Sequence, residues 1–359
     1  MAWLRRAGLD LAAPPGEEGA PFCFSPAKVA AVPAPRKVLI TTRLFDAAAA
    51  EYLAEHGCVA VPSGLPGDAL DADIPDAELS ALLEGAEGWI VGMRAVTREI
   101  LAAHPDLKVI ARRGVGYDRV DVPSAKALGR VVTIAAGAND DAVADHTLAM
   151  ILALLRRLKE SDRAIAAGNW RVLSGFDLTG KTVGLVGLGR IGKAVARRLH
   201  GFGTKVLVAT RTPDPDFPFV DYVPLGDLIA RSDVISVHAP LTPETHHMIG
   251  AAALAAMKPH ALVINTARGG LVDDRALLAA LDAGRIGGAG LDVFEAEADP
   301  AMLPVAAALA ARGDVVATAH ASGSSAEALA RGNLISAQCV VAALDGTEFP
   351  PGCLIADGR

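Results

Sequence analysis

The sequence predicts an α/β fold made of two successive series of strand–helix units on parallel sheets. Alanine-rich stretches alternate with valine-rich ones, the rhythm of strands covered by helices. Strand-like runs come in two groups, from Lys37 to Ile134 and from Lys181 to Thr318, with one long helical stretch between them. The 359 residues, 52% hydrophobic and 21% charged, suffice for two cores of ordinary size.

The first series opens with a strand at Lys37–Thr42 and a helix at Asp46–His56. Strands follow at Cys58–Val61, Trp89–Val91, Lys108–Ala111 and Val131–Ile134, and the series ends near Gly137. A helix over Asn139–Leu158 should then cross to the second series, with Asn139 as its cap and Asp140 and Asp141 at the positive end of its dipole. The second series places strands at Lys181–Gly187, Lys205–Ala209, Val234–His238, Ala261–Thr266, Ile286–Val293 and Val315–Thr318. A last helix, Ser324–Leu344, should return to the first unit. Residues 1–36, rich in Pro, Gly and Ala after a short MAWLRR start, lack the apolar core of a secretory signal and read as an extension outside the fold.

Composition excludes several function classes. The net charge is −7, and Arg112-Arg113 and Arg156-Arg157 are isolated pairs, whereas a nucleic-acid surface needs clustered cations. Cys23, Cys58, Cys339 and Cys353 show no Cys-x-x-Cys spacing, so neither a metal site nor a disulfide framework is expected, and a reducing cytoplasm fits. Val143–Leu158 is interrupted by Asp145 and His146, and no apolar run is long enough to span a bilayer.

The chemistry lies in the second half. Gly187, Gly189 and Gly192 stand between TVGLV, a buried-strand run, and KAVARRL, a helix former. In that context Gly187 permits a tight turn, Gly189 lets backbone approach a pyrophosphate, and Gly192 allows close packing of helix on strand. The phosphates of a dinucleotide then meet free N–H groups at the helix start. At the end of the next strand an NAD reader usually carries a carboxylate for the ribose 2′-OH, but here the sequence is Ala209-Thr210-Arg211-Thr212. Arg211 with Thr210 and Thr212 suits a 2′-phosphate, so NADP is expected. NAD remains the alternative, with Arg211 stacked on adenine and Asp214 or Asp216 serving the ribose.

Arg268 in NTARGGLVDD, Glu297 in GAGLDVFEAE and His320 in VVATAHASGS supply a permanent cation, a carboxylate and an imidazole. That set holds a 2-oxo or 2-hydroxy acid and moves one proton. His238, His246, His247 and His260 have no such surround and receive no role.

GLGRIG, HAPLTPETHHMIG, NTARGG, LDVFE and the final histidine together resemble the D-isomer-specific 2-hydroxyacid dehydrogenase family, which includes phosphoglycerate dehydrogenases and glyoxylate/hydroxypyruvate reductases. The resemblance covers residues 37–346. It implies two Rossmann-like or flavodoxin-like α/β domains: a dinucleotide-binding domain over 139–321, inserted in a substrate domain over 37–138 and 322–359. It also implies a cleft between them and a homodimer built on the nucleotide domain and the long helix.

In that family pattern Arg268 binds the substrate carboxylate and polarises the oxo group, and His320 is the acid/base. Glu297, rather than Glu295, holds the other imidazole nitrogen. For the cofactor the pattern points to Arg190, Ile191, Ala239, Pro240, Thr266, Val115 and Gly323, with Asp292 at the nicotinamide amide. For the substrate it points to Gly116 and to the loop Gly92-Met93-Arg94. There Arg94 meets the substrate, or Gly92 and Met93 offer backbone N–H groups, or Arg94 is a structural surface residue. Two departures stand out: Ala319 precedes His320 where many relatives have proline, and proline is delayed after Glu297. The expectation is a cytoplasmic reductase of a small 2-oxo acid, glyoxylate or hydroxypyruvate first, using NADPH. An NAD-linked oxidative enzyme and a redox-sensing corepressor-type binding protein are the alternatives.

Overall fold

The structure, a computed structural model, describes residues 34–65 and 70–359; Cys23 and most of the expected extension lie outside them. The first series forms β1 (Arg36–Ile40), β2 (Cys58–Pro62), β3 (Ala86–Val91), β4 (Val109–Arg112) and β5 (Val131–Ile134). The second forms β6 (Thr182–Val186), β7 (Lys205–Ala209), β8 (Asp221–Tyr222), β9 (Val234–Val237), β10 (Leu262–Asn265), β11 (Gly288–Leu291) and β12 (Val315–Ala317), and β13 (Leu354–Ala356) closes the chain. Two sheets result, ordered β13-β5-β4-β3-β1-β2 and β12-β11-β10-β9-β6-β7-β8. All pairings are parallel except β13 on β5.

The central strands VISV and LVIN are buried along their whole length, as strands covered by helices on both faces must be. In the second sheet the chain runs from β6 outward to β7 and β8, then returns to β9 on the other side of β6. That reversal opens a crevice beyond the carboxyl ends of β6 and β9, the usual ligand position in such sheets.

The helix expected over Asn139–Leu158 runs over Asp140–Leu155, and a second helix, Leu158–Ala166, follows it directly. The break is at Arg157, whose φ of +53° is left-handed and whose Nε donates to Glu160 Oε2 at 2.8 Å. No glycine or proline marks it. Asn139 occupies the cap position, yet its side chain makes no capping bond and its Oδ1 is buried without a partner. The acidic first turn instead ties this helix to Arg190–Gly201: Arg190 Nε donates to Asp140 (3.0 Å), and Arg198 bonds Asp141 (3.0 Å) and Asp145 (2.6 Å).

The last helix runs over Ala326–Asp345, capped by Ser325 Oγ accepting from Ala328 N at 3.1 Å. Its Ala337, Val340 and Val341 share a core with Val38, Ile90, Val109 and Val131 of the first sheet. Gly88 makes the approach feasible, since a Cβ there would fall 2.9 Å from Val340 Cγ1. Among the described residues no helix is long and apolar enough to cross a membrane.

Candidate active site

At the end of β6 the chain turns through Gly187, whose φ is +100° and whose Cβ, if it had one, would lie 2.6 Å from the His238 carbonyl oxygen. Only glycine satisfies both conditions. Gly189 then caps the helix Arg190–Gly201, with nothing within 4 Å of the place a Cβ would take. A Cβ on Gly192 would press to 2.5 Å from the Gly187 carbonyl oxygen, so helix and loop are in backbone contact. The first N–H groups of this helix, at Arg190, Ile191 and Gly192, have no intrahelical acceptor and sit beside the open space at Gly189.

Beyond β7, Arg211 and Thr212 are exposed and Thr210 is half-buried. Asp214, the nearest downstream carboxylate, is held by Lys193 Nζ at 2.5 Å, and Tyr222 Oη donates to its backbone oxygen at 2.7 Å. The Lys193 hydrogen bond keeps its carboxyl below the usual range. At the end of β9, Ala239 is half-buried and Pro240 exposed. His238 just before them is neutral: burial pushes its imidazole down to about 4, and Ser236 Oγ lies 2.9 Å from Nε2. Thr266, after β10, is buried against Thr147, hydroxyl to hydroxyl at 3.1 Å.

Arg268 follows in extended conformation at the start of a short turn, Gly269–Leu271. Its Nη1 donates to the Ala267 carbonyl at 2.7 Å and its Nε to Asp118 Oδ1 at 2.8 Å. Its Nη2 lies over Gly116, where a Cβ would stand 1.4 Å away. Glu297 closes the turn Glu295–Glu297; its Oε1 accepts from Phe294 N (3.1 Å), and its Oε2 is 2.7 Å from His320 Nδ1. Nε2 of His320 has no protein partner among the described residues.

The His320 loop is organised by a buried carboxylate. Asp292 accepts from Thr318 Oγ1 (2.5 Å), Ala321 N (2.7 Å) and Ser322 N (2.9 Å), while its carbonyl accepts from His320 N (2.7 Å). Burial alone would raise this carboxyl, but the hydrogen bonds from Ser322 and Thr318 outweigh it and the group lies below its usual range. The loop that lacks the family's proline is thus pinned by Asp292, and His320 is held at a φ of +51°.

A family model described as D-isomer specific 2-hydroxyacid dehydrogenase, NAD binding domain, matches residues 148–322. A glyoxylate reductase from Korarchaeum cryptofilum (strain OPF8) is 42% identical over 265 residues, covering 71% of this chain and 78% of the relative. The chain belongs to the D-isomer-specific 2-hydroxyacid dehydrogenase family. It is an NAD(P)-dependent oxidoreductase acting on 2-hydroxy acids. A D-3-phosphoglycerate dehydrogenase from Mycobacterium leprae (strain TN) is also 42% identical, over 295 residues that cover 80% of this chain and 54% of the relative, so the chain spans about half that enzyme's length. Among solved structures, D-lactate dehydrogenase from Aquifex aeolicus complexed with NAD and lactic acid superposes with a TM-score of 0.77 at 31% identity, covering 89% of this chain and 99% of that one.

In this dehydrogenase the loop after β3 follows the third of its sequence expectations, with Arg94 structural. The N–H groups of Gly92, Met93 and Arg94 all donate to Asp71, at 2.6, 2.6 and 3.1 Å, so they are not open donors facing a ligand. Asp71 is itself buried and also accepts from Thr41 Oγ1 at 3.1 Å. The Arg94 side chain turns toward the carbonyls of Ala72 (3.2 Å) and Ile74 (2.8 Å) and pairs with Asp76, a structural arrangement.

The loop after β4 carries Val115 and Gly116 together with two residues that no sequence motif marks, Asp118 and Arg119. Val115 and Gly116 are half-buried there. Arg112 lies beneath them, its Nε donating to the Gly116 carbonyl at 2.9 Å; burial lowers its guanidinium to about 10, which leaves it charged. Burial raises the Asp118 carboxyl, but the charge and hydrogen bond of Arg268 more than reverse this, leaving it below the usual range. Arg119 joins the two sheets, donating to the carbonyls of Met93 (3.3 Å) and Glu297 (2.8 Å). Asp118 stands two positions past Gly116, but a charged residue on a loop gives no signal of which distant partner it will meet.

Proposed function

We propose that the protein reduces a small 2-oxo acid to the D-2-hydroxy acid with NADPH, with glyoxylate or hydroxypyruvate as leading substrates. The observation that carries this reading is the 2.7 Å Glu297–His320 contact through Nδ1. It fixes the ring and leaves Nε2 to exchange a proton with the substrate oxygen. Arg268 has its Nε and Nη1 engaged by Asp118 and Ala267, which sets the plane of the guanidinium and leaves Nη2 for the substrate carboxylate and oxo oxygen. The nicotinamide, when bound, supplies the hydride. We assign its dinucleotide to Gly187, Gly189, Arg190, Ile191 and Gly192 at the pyrophosphate, and to Val115, Ala239, Pro240, Thr266, Asp292 and Gly323 along the remainder. The open space at Gly189 and the backbone contacts at Gly187 and Gly192 suit this group. In the same reading residues 139–321 are the dinucleotide domain and 37–138 with 322–359 the substrate domain, supported by the packing of the last helix and β13 on the first sheet.

NADPH is favoured over NADH because Arg211 and Thr212 are exposed after β7 while Asp214 is engaged by Lys193. Initial rates with each cofactor against glyoxylate, hydroxypyruvate, pyruvate and 2-oxoglutarate test this. The expected result is a kcat/KM at least about tenfold higher with NADPH, a preference that Arg211→Asp reverses by placing a carboxylate against the 2′-phosphate. Equal use of both cofactors would remove Arg211 from the role. No turnover of any acid, with tight cofactor binding, would favour the redox-sensing alternative.

The quaternary state in this reading is a homodimer. Leu158, Ile165, Trp170, Val172 and Phe176 leave a run of apolar side chains in water, with Trp170 82% and Val172 91% exposed. A second copy would cover it. Sedimentation velocity should give a dimer mass that Val172→Asp converts to monomer, and a monomeric wild type would refute the arrangement. The free, buried thiols of Cys58, Cys339 and Cys353 accord with a cytoplasmic location.

A further inference from the structure

Behind Arg268 and Glu297, three segments meet: the loop after β9 containing His246 and His247, the start of the helix Asp274–Asp282, and the turn Glu295–Glu297. The rings of His246 and His247 lie 3.8 Å apart at 26°. His247 Nε2 is 2.6 Å from Glu295 Oε1, and one donor atom from each of His246, His247 and Glu295 falls within 4.8 Å of the others. Around a tetrahedral ion with ligands at about 2.1 Å, such donors stand about 3.4 Å apart. The remaining difference is closed if the His246 ring, which is exposed and makes no hydrogen bond, turns out of its stack on His247.

Two further observations point to a cation. The other ring nitrogen of His247, Nδ1, faces Asp273 Oδ2 at 3.7 Å, too far for a hydrogen bond but near enough for the carboxylate's charge to favour a cation on the imidazole. Glu295 is aimed independently of His247, because its Oε2 accepts from Asp274 N and its own N–H donates to Asp274 Oδ2, both at 3.0 Å. The one ion-pair partner the structure gives either Glu295 or Asp273 is His247 itself, with no lysine or arginine among the described residues bonded to them. His247 also holds a left-handed φ of +53°, anchored by its N–H on the Gly270 carbonyl at 2.7 Å.

We infer that His246, His247 and Glu295 form a binding site for a divalent transition-metal ion, zinc foremost. Two imidazoles and one carboxylate are a borderline donor set that suits zinc better than magnesium or calcium, and a water completes the tetrahedron. The ion takes the place of the present His247–Glu295 hydrogen bond. It lies outside the reacting atoms and acts by fastening together the segments that carry Arg268 and Glu297, since the His247 N–H donates to the Gly270 carbonyl and Glu295 is in the same turn as Glu297.

The test is metal binding by the full-length protein, read without any activity assay. Protein stripped with a chelator and dialysed against zinc should retain one ion per chain by mass spectrometry of the metal. Cobalt(II) in its place should give the intense visible absorption of a tetrahedral site. His246→Ala, at an exposed position that leaves folding intact, should weaken zinc binding by about tenfold or more and remove the cobalt band. Glu295→Gln should do the same. A protein that retains no zinc, or one whose uptake is undiminished in His246→Ala and Glu295→Gln, overturns the site.

Discussion

His320→Ala is expected to lower kcat for 2-oxo acid reduction by about 10³-fold while leaving the Kd for NADPH nearly unchanged. The drop corresponds to about 4 kcal/mol of transition-state stabilisation. It should be confined to chemistry, because the loop does not depend on the imidazole for its shape. The His320 N–H on the Asp292 carbonyl (2.7 Å) and the Asp292 carboxylate on Thr318, Ala321 and Ser322 are all kept in the alanine variant. Single-turnover kinetics with saturating cofactor would isolate the step. An unchanged kcat removes His320 from the proton transfer.

Arg268→Lys is expected to be nearly as damaging, lowering kcat/KM by about 10³-fold with a fall in kcat as well as a rise in KM. A lysine keeps the charge but not the fork, and the fork is what lets Nε and Nη1 be held by Asp118 and Ala267 while Nη2 remains over Gly116. Arg112 does not substitute: it is 7% exposed and its Nε is bound to the Gly116 carbonyl. A variant that raised KM alone would show that Arg268 binds substrate and transition state equally, and its role in polarising the oxo group would fail.

The parts of this molecule legible in its sequence are those decided over a few neighbouring residues. Gly187 and Gly192 could be read because a left-handed turn and a backbone contact each demand glycine, and the buried strands because an apolar run of that length has few other uses. The turn at Arg157 into a second helix has no local signal, since it depends on a left-handed arginine rather than on glycine or proline. β8 and β13, of two and three residues, are too short to carry a pattern. At the site, Arg268, Glu297 and His320 stood out by their surrounds, whereas Asp118 and Arg119 acquire meaning only through partners more than a hundred residues away. The Gly92–Arg94 loop left three readings open for the same reason. Its N–H groups are claimed by Asp71, twenty-odd positions earlier and in an unremarkable acidic stretch.

Asp71 has a consequence for how acids are sorted. A run of three backbone donors is a natural trap for a carboxylate, and here it is filled by a resident anion. In the proposed reading an incoming 2-oxo acid therefore has one cationic address for its charge, at Arg268, instead of two that compete. With the carboxylate committed to a single end, rotation about that anchor is what is left to decide which face of the oxo carbon meets a hydride donor.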